Sequence, residues 1–336
     1  MRNQKIVALV LVAMLSVFAL AGCGTASNGG SAASKDAGGD ASYSIGMIQL
    51  LEHPALDAAS EGFQDAVKEA LGEENVKFDF QNAQGEQANC ATIASGFVTN
   101  KVDLIFANAT PALQATAQAT SDIPIVGTSI TDYASALDIA DWTGATGSNV
   151  TGTSDLAPLD QQAAMIKELF PEVKQVGILY CSAEANSVYQ VENIGAELDK
   201  LGVAHKAYAA ADSNEVQSVT TSAIAECDVL YIPTDNTMAS NTEIINNIAA
   251  PANIPIVAGE EGICKACGLA TLSISYYDLG YAAGEIAADI LQNGTDPGTV
   301  EIAYAKNVVK EYNPEIAKAL NITLPDDYVA LELDAE

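Results

Sequence analysis

Beyond residue 42 the chain alternates between two hydrophobic rhythms. Tyr43-Ser-Ile-Gly-Met-Ile-Gln49 is a short apolar run of the kind that fills a buried strand, whereas residues 55–71 place Leu56, Ala59, Phe63, Ala66, Val67 and Ala70 on one helical face. The same alternation predicts strands over 76–80, 102–107 and 123–127, separated by helices over 87–98 and 111–119. Proline at the first position of the second of these helices suits its missing amide. A connector over 142–152, rich in Gly, Ser and Thr, interrupts the rhythm. It resumes with helices over 161–170, 187–201, 214–225 and 238–249, followed in turn by strands over 175–180, 204–209, 229–233 and 254–258. Two successive four-strand βα arrays of similar size predict an α/β fold with two doubly wound lobes, each on a parallel sheet. Two domains of roughly 130 to 150 residues are ordinary for this length.

Composition narrows the function. A 49% hydrophobic content over 336 residues supports a core and excludes a disordered polymer. With 14 Lys+Arg against 44 Asp+Glu, the formal charge of -30 repels phosphate and excludes nucleic acid as a partner. The acidic surface reads as a solubility feature. The only arginine is Arg2. Any anionic ligand must therefore be held without the bidentate guanidinium fork.

The N-terminus predicts export. Arg2 and Lys5 precede an apolar run over 6–20 that is too short to span a bilayer comfortably, and the run ends in Leu20-Ala21-Gly22-Cys23. This resembles a bacterial lipoprotein signal cut before the cysteine. The resemblance implies that residues 1–22 are removed, that Cys23 is lipidated, and that the protein is extracytoplasmic and anchored to the cell membrane. The other reading is an ordinary secretory signal or an uncleaved anchor, with Cys23 incidental. Residues 23–42, poor in apolar side chains and without periodicity, read as a flexible tether. Two or three acyl chains, at about 0.8 kcal/mol per buried methylene, would hold it firmly.

In open parallel sheets ligands sit beyond the carboxyl ends of the strands, where helix N-termini present free amides. Loops at those points are rich in uncharged hydrogen-bonding groups. Gln49-Leu-Leu-Glu-His-Pro54, Asn108-Ala-Thr-Pro111 and Thr128-Ser-Ile-Thr-Asp132 belong to the first array, and Cys181-Ser-Ala-Glu-Ala-Asn-Ser187 and Thr234-Asp-Asn236 to the second. Turn and N-cap preferences account for many of these residues individually, but less well for their recurrence at matching points of both arrays.

A family resemblance rests on an ordered set of landmarks. They are Ile48-Gln49, Glu52-His53-Pro54-Ala55-Leu56-Asp57, Asn82-Ala83-Gln84-Gly85, Ala109-Thr110-Pro111-Ala112 and Asn149-Val150-Thr151-Gly152. Further along come Gly177-Ile178-Leu179-Tyr180, Glu184-x-Asn186-Ser187, Ile232-Pro233-x-Asp235-Asn236 and Tyr276-Tyr277-x-Leu279-Gly280. From about Tyr43 to near the C-terminus the chain resembles the solute-binding lipoproteins of ABC importers related to tryptophan- and tyrosine-binding proteins. The resemblance implies a type I periplasmic-binding-protein fold with two lobes joined by a hinge, a membrane permease and its ATPase as partners, and an aromatic amino acid as ligand. It implies three crossings between lobes, which we place near Thr151, Gly268 and Gly294. Lobe 1 would then be 43–151 plus 268–294, and lobe 2 would be 152–267 plus 295–336. A monomer is expected.

A free amino acid presents a carboxylate, an ammonium and a side chain. Thr110, Ser129, Thr131, Asn186 and Ser187, each where a helix or turn begins, are the candidates for the carboxylate. Charge-assisted bonds of this type contribute about 1.5–3 kcal/mol each. Asp235 is the first choice for the ammonium, with Asp132 and Glu184 behind it, although Asp235 could instead cap the helix near Met238. Gln49, His53, Pro54 and Asn236 complete the candidate ligand-binding set. His53 could stack on a ring, line the cleft mouth or simply start a helix. Trp142 could pack on an aromatic solute or be buried in the hinge. Tyr276 and Tyr277 could line the cleft or fill the interlobe core, and the core is preferred for one of them.

No catalytic residue, cofactor or metal site is predicted. The chain lacks a Gly-x-Gly-x-x-Gly turn, a Walker loop and a Gly-x-Ser-x-Gly elbow, and nothing in the sequence forces Glu52 and Asp235 together as an acid–base pair. Without Cys23, five cysteines remain, so a full disulfide set is impossible. Cys264-Lys-Ala-Cys267 lacks a second ligand pair for zinc, and either a short-range disulfide or free thiols fits. The competing function is a sensor or importer receptor for a sugar, nucleoside or other small polar solute. Sugar binders usually offer more aromatic stacking than the 6% available here.

Overall fold

The computed structural model describes residues 42–305 and 307–333; the predicted export segment, Cys23 and the tether up to residue 41 lie outside the described residues. The first array comprises β1 (Tyr43–Gln49), α1 (Pro54–Leu71), β2 (Val76–Asn82), α2 (Gln87–Asn100), β3 (Leu104–Asn108), α3 (Thr110–Ala119), β4 (Ile125–Ile130), the single turn α4 (Tyr133–Ala136) and β5 (Val150–Ser154). Strands β3 and β4 are buried along their whole length, as strands covered on both faces must be. The second array runs α5 (Leu159–Leu169), β6 (Val176–Cys181), α6 (Ala185–Lys200), β7 (His205–Ala210), α7 (Val216–Glu226), β8 (Val229–Ile232), α8 (Asn236–Ala239), α9 (Thr242–Ala252), β9 (Ile256–Ala258), α10 (Glu261–Ala266) and β10 (Ala270–Ser273). The chain ends with α11 (Tyr276–Asn293), β11 (Ala303–Tyr304), β12 (Val309–Tyr312), α12 (Pro314–Leu320) and β13 (Val329–Ala330).

These strands form two sheets. Lobe 1 has the order β11-β5-β4-β3-β1-β2, all parallel. Lobe 2 has the order β13-β12-β10-β9-β8-β6-β7, parallel except where β12 runs against β10. The sheets therefore have six and seven strands, where the sequence arrays predicted four each. The extra strands are short or lie in segments with little apolar rhythm, such as Val150-Thr-Gly-Thr-Ser154.

Strand membership also moves the crossings. Strand β5 keeps the chain in lobe 1 through Ser154, beyond Thr151. Strand β10 keeps it in lobe 2 through Ser273, beyond Gly268. Strand β11 pairs with β5, so the last crossing falls between Tyr304 and Val309 rather than near Gly294. In each case one more short strand is completed before the chain leaves its sheet.

Helix α11 returns to lobe 1 and packs closely against α1. A Cβ on Gly280 would stand 1.9 Å from the Ala59 carbonyl oxygen, and one on Gly62 would stand 2.2 Å from that of Tyr277. Only hydrogens fit at those points. The close approach lets Ala283 and Ala287 join a core with Phe63 and Phe106, whose rings stack at 3.9 Å.

Candidate functional site

Each sheet reverses its winding once. In lobe 1 the order turns between β1 and β3, and in lobe 2 between β6 and β8. These are the points where an open parallel sheet leaves a crevice at its strand ends. The loops after β1, β3, β6 and β8 are the polar loops singled out in the sequence, and the two sets meet across the cleft. His53 Nε2 lies 3.2 Å from Asn236 Oδ1, Gln87 Nε2 donates to the Ala183 carbonyl at 3.0 Å, and Gln190 Nε2 reaches Thr131 Oγ1 at 3.4 Å. A polar groove of about 870 Å³ runs along the mouth, between Glu52, Gln84 and Gln87 on one side and Glu184, Asp212 and Thr237 on the other.

Several buried polar atoms at these strand ends have no partner. They are His53 Nδ1, Asn108 Oδ1, Thr110 Oγ1 and Ser129 Oγ in lobe 1, and Asn186 Oδ1 in lobe 2. Each such atom costs about 1–3 kcal/mol unless something satisfies it. Two neighbouring residues hold a backbone conformation that L side chains rarely adopt, Ala109 at φ 92° just before Thr110, and Ser129 at φ 57°. Local strain beside unsatisfied polar groups is characteristic of a site built for something other than stability.

The His53 tautomer follows from its neighbours. Asn236 Nδ2 donates to Glu184 Oε2 at 2.5 Å, so the amide oxygen must face His53. The ring then carries its proton on Nε2 and leaves Nδ1 as a bare acceptor. Burial lowers the His53 pKa from its ordinary value, against smaller raising effects from the Asn236 bond and the Glu184 and Asp57 carboxylates.

The carboxylates sort by what already holds them. Asp235 caps α8: Oδ1 accepts from Met238 N at 2.8 Å and Oδ2 from Cys181 N at 2.6 Å. Burial, then the nearby Glu184 charge, pushes its pKa up to about 7. Of the two alternatives left open by the sequence, the capping role is the one observed. Glu184 accepts from Asn236 N, Thr237 N and Thr237 Oγ1 as well as the Asn236 amide. Asp132 caps α4 through Ser135 N at 2.7 Å. All three candidates for an ammonium partner are thus engaged at helix starts.

Other predicted residues separate similarly. Gln49 is spent inside lobe 1, donating to the Leu51 carbonyl and Asp57 and accepting from Ser60 Oγ at 2.6 Å. Pro54 is exposed at the start of α1. Thr131 is buried and donates to Asp155, while Ser187 is fully buried beside Asn186. Trp142 packs, half-buried, on the lobe 1 core. Tyr276 is buried at the lobe junction, whereas Tyr277 lies on the surface with its hydroxyl 3.2 Å from Asp65. Glu52 is exposed and Asp235 buried. Cys90, Cys181, Cys227, Cys264 and Cys267 are buried free thiols.

Sequence reasoning missed Asp155, Gln190 and Glu260. Asp155 follows β5 and is 2% exposed; it accepts from Tyr276 Oη at 2.8 Å and Thr131 Oγ1 at 3.3 Å. Burial raises its pKa to about 6. Glu260 caps α10 through Gly262 N and Ile263 N, and burial raises its pKa to about 7. Recognising Val150–Ser154 as a strand would have found Asp155, since it would then stand at a strand end like the other candidates.

Two parallel-sheet lobes, joined by three crossings and facing each other with polar strand ends, define a solute-binding protein of type I periplasmic-binding-protein architecture. Residues 44–333 match the family described as ABC transporter substrate binding protein, and the chain belongs to that family. It is 37% identical over 328 residues to the tyrosine-binding protein of Clostridioides difficile, covering 96% of this chain and 93% of that protein. Among solved structures it is similar to an ABC domain from Streptococcus pneumoniae in complex with L-Trp, with 35% identity, a TM-score of 0.81, and coverage of 85% of this chain and 96% of that one. The ligand-free, open structure of a Clostridium difficile substrate-binding protein with adhesive properties is 37% identical and covers 87% of this chain and 100% of that one, but its TM-score is 0.66. Sequence distance does not account for that difference. In the present structure the lobes are bonded to each other across the cleft.

Proposed function

We propose that this protein is the extracytoplasmic receptor of an ABC importer and that it captures an aromatic amino acid, tryptophan, tyrosine or phenylalanine, between its lobes. The observation that carries the reading is the set of buried, unpartnered polar atoms at the facing strand ends, Thr110 Oγ1, Ser129 Oγ, Asn186 Oδ1 and His53 Nδ1. No arginine occurs among the described residues. In its absence the Thr110 and Ser129 hydroxyls, with the free amides at the start of α3, take the ligand carboxylate. Asn186 Oδ1 and His53 Nδ1 accept hydrogen bonds from the ligand. Gln190 and the His53–Asn236 pair hold the lobes together around it. The tyrosine-binding relative and the L-Trp complex support the choice of ligand class.

On this reading the protein has no catalytic step. It works as a monomer, lipidated at Cys23 and tethered to the cell membrane, and delivers its solute to a permease driven by its ATPase. Calorimetry and thermal shift with the three aromatic amino acids test the ligand assignment. A ligand at 100 times its Kd stabilises the folded protein by about 2.7 kcal/mol. No shift with any of the three, together with a clear shift for a pentose or nucleoside, would replace the amino acid by that solute.

A further inference from the structure

Asp155 stands one residue beyond β5, with its amide bonded to the Ile130 carbonyl at 3.2 Å. Ser154 pairs with Ile130, so Asp155 lies beside the 129–131 ledge that carries the unpartnered Ser129 hydroxyl. Three parts of the molecule meet there. Tyr276 reaches it from the second crossing, Thr131 from the end of β4, and lobe 2's Gln190 reaches the same Thr131 hydroxyl at 3.4 Å.

The carboxylate has more acceptor capacity than side-chain donors. Ionised, it offers about four acceptor positions, and its side-chain donors are two hydroxyls. The titratable groups that face it are Tyr133 of α4, Tyr276 of α11 and Glu260 at the start of α10. None is a cation. A buried carboxylate without a countercharge is costly, which is why its pKa stands well above the ordinary value. Asp235 and Glu184, in contrast, are tied to the backbone amides of lobe 2.

We infer that Asp155 receives the α-ammonium of the bound amino acid, and that this contact, made at the first crossing between the lobes, couples recognition of the amine to closure. The inference rests on the ligand being an amino acid. Tyr276 is a positioning residue in this arrangement: its hydroxyl keeps the carboxylate oriented and favours its ionised form.

The test uses calorimetry on the full chain with L-tyrosine, L-tryptophan and L-phenylalanine and with their deaminated 3-arylpropanoate analogues. Wild type should bind the amino acids at least tenfold tighter than the analogues. Asp155→Asn should weaken the amino acids more than tenfold and close that gap, because the analogues never used the carboxylate. Between pH 7 and 5 the affinity of wild type should fall about tenfold more than that of Asp155→Asn, the proton competing with the ammonium. Tyr276→Phe should move this pH step upward without abolishing it. Unchanged affinity in Asp155→Asn, or equal losses for amino acids and analogues, would overturn the inference while leaving the amino-acid reading intact. If Asp155→Asn does not fold, the wild-type gap decides, and its absence overturns the inference. Binding of some other L-amino acid with the same gap would support Asp155 and defeat only the aromatic choice. Binding of a sugar or nucleoside alone would defeat both.

Discussion

His53 of lobe 1 and Asn236 of lobe 2 meet at 3.2 Å, and their geometry is set by Glu184, a carboxylate that touches only the second of them by hydrogen bond. Glu184 orients the Asn236 amide, the amide selects the His53 tautomer, and the histidine closes the cleft. The bond exists only when the lobes are together. His53→Ala removes this bond and the one its Nδ1 accepts from the ligand, so it should weaken solute binding by about ten- to a hundredfold, the value of two part-buried hydrogen bonds, with little change in the melting of the ligand-free protein. Because burial lowers the histidine pKa, protonation favours the open form. The wild-type affinity should decline in acid, and part of that decline should vanish in His53→Ala. Titration calorimetry across pH 5 to 8 checks both outcomes.

The unpartnered hydroxyls predict effects of opposite sign. Thr110→Val and Ser129→Ala remove buried polar atoms that have no hydrogen-bond partner within the protein. Each should leave its stability unchanged or raise it, since an unsatisfied group is lost. Each should weaken amino-acid binding by about tenfold or more, as expected for a hydrogen bond to a charged group. Thermal denaturation with and without ligand separates the two effects. Loss of stability without ligand would show that the hydroxyls serve the fold.

The two-lobed architecture was legible because its signals are local and repeated. Apolar runs such as that of β1 and helical faces such as that of α1 come directly from burial on one or both sides. Strand β5 was not legible. Val150-Thr-Gly-Thr-Ser154 lacks bulky residues because Gly152 must pass close to β4: a Cβ there would stand 1.9 Å from the Gly127 carbonyl oxygen. That one omission hid Asp155 and displaced the first crossing. Likewise, Asp235 is the residue type both for an ammonium partner and for an N-cap, and only its distances to Met238 N and Cys181 N decide. The polar loops themselves were found, because strand ends in parallel sheets are where such residues accumulate for function.

Three buried carboxylates make the ligand-free protein acid-tolerant. Asp155 has its pKa raised to about 6, and Asp235 and Glu260 to about 7, all chiefly by burial. A carboxyl whose folded pKa exceeds its unfolded one contributes stability that is full below the unfolded value and is lost as pH rises through the folded one. Stability of the ligand-free protein should thus fall between pH 4 and 8, with relief of the net charge of -30 in acid acting in the same direction. Glu260→Gln removes the titration but keeps an acceptor for only one of the two α10 amides, since each now bonds a different carboxylate oxygen. It should flatten the profile, while the amide left without an acceptor costs about 1–3 kcal/mol at every pH. Denaturant melts at a series of pH values would show it, and a profile as steep as wild type would contradict it.

Asp235 offers the sharpest contrast with Asp155. It sits where β8 gives way to α8, and its two oxygens satisfy two buried amides, one at the start of α8 and one at the end of β6. Asp235→Ala leaves both without acceptors. Loss of the cap alone costs about 0.5–2 kcal/mol, and an orphaned buried amide about 1–3 kcal/mol more. The melting temperature should therefore fall by several degrees. Asn at the same position has one carbonyl oxygen and can serve only one of the two amides well, so Asp235→Asn should recover about half of the loss. Affinity should suffer less than in Asp155→Asn, through a less well-placed Asn236 and a weaker hold on His53. Melting and calorimetry on the same preparations distinguish the roles: unaltered stability with affinity lost would return the ammonium to Asp235, because a cap cannot be removed without cost to the helix it starts.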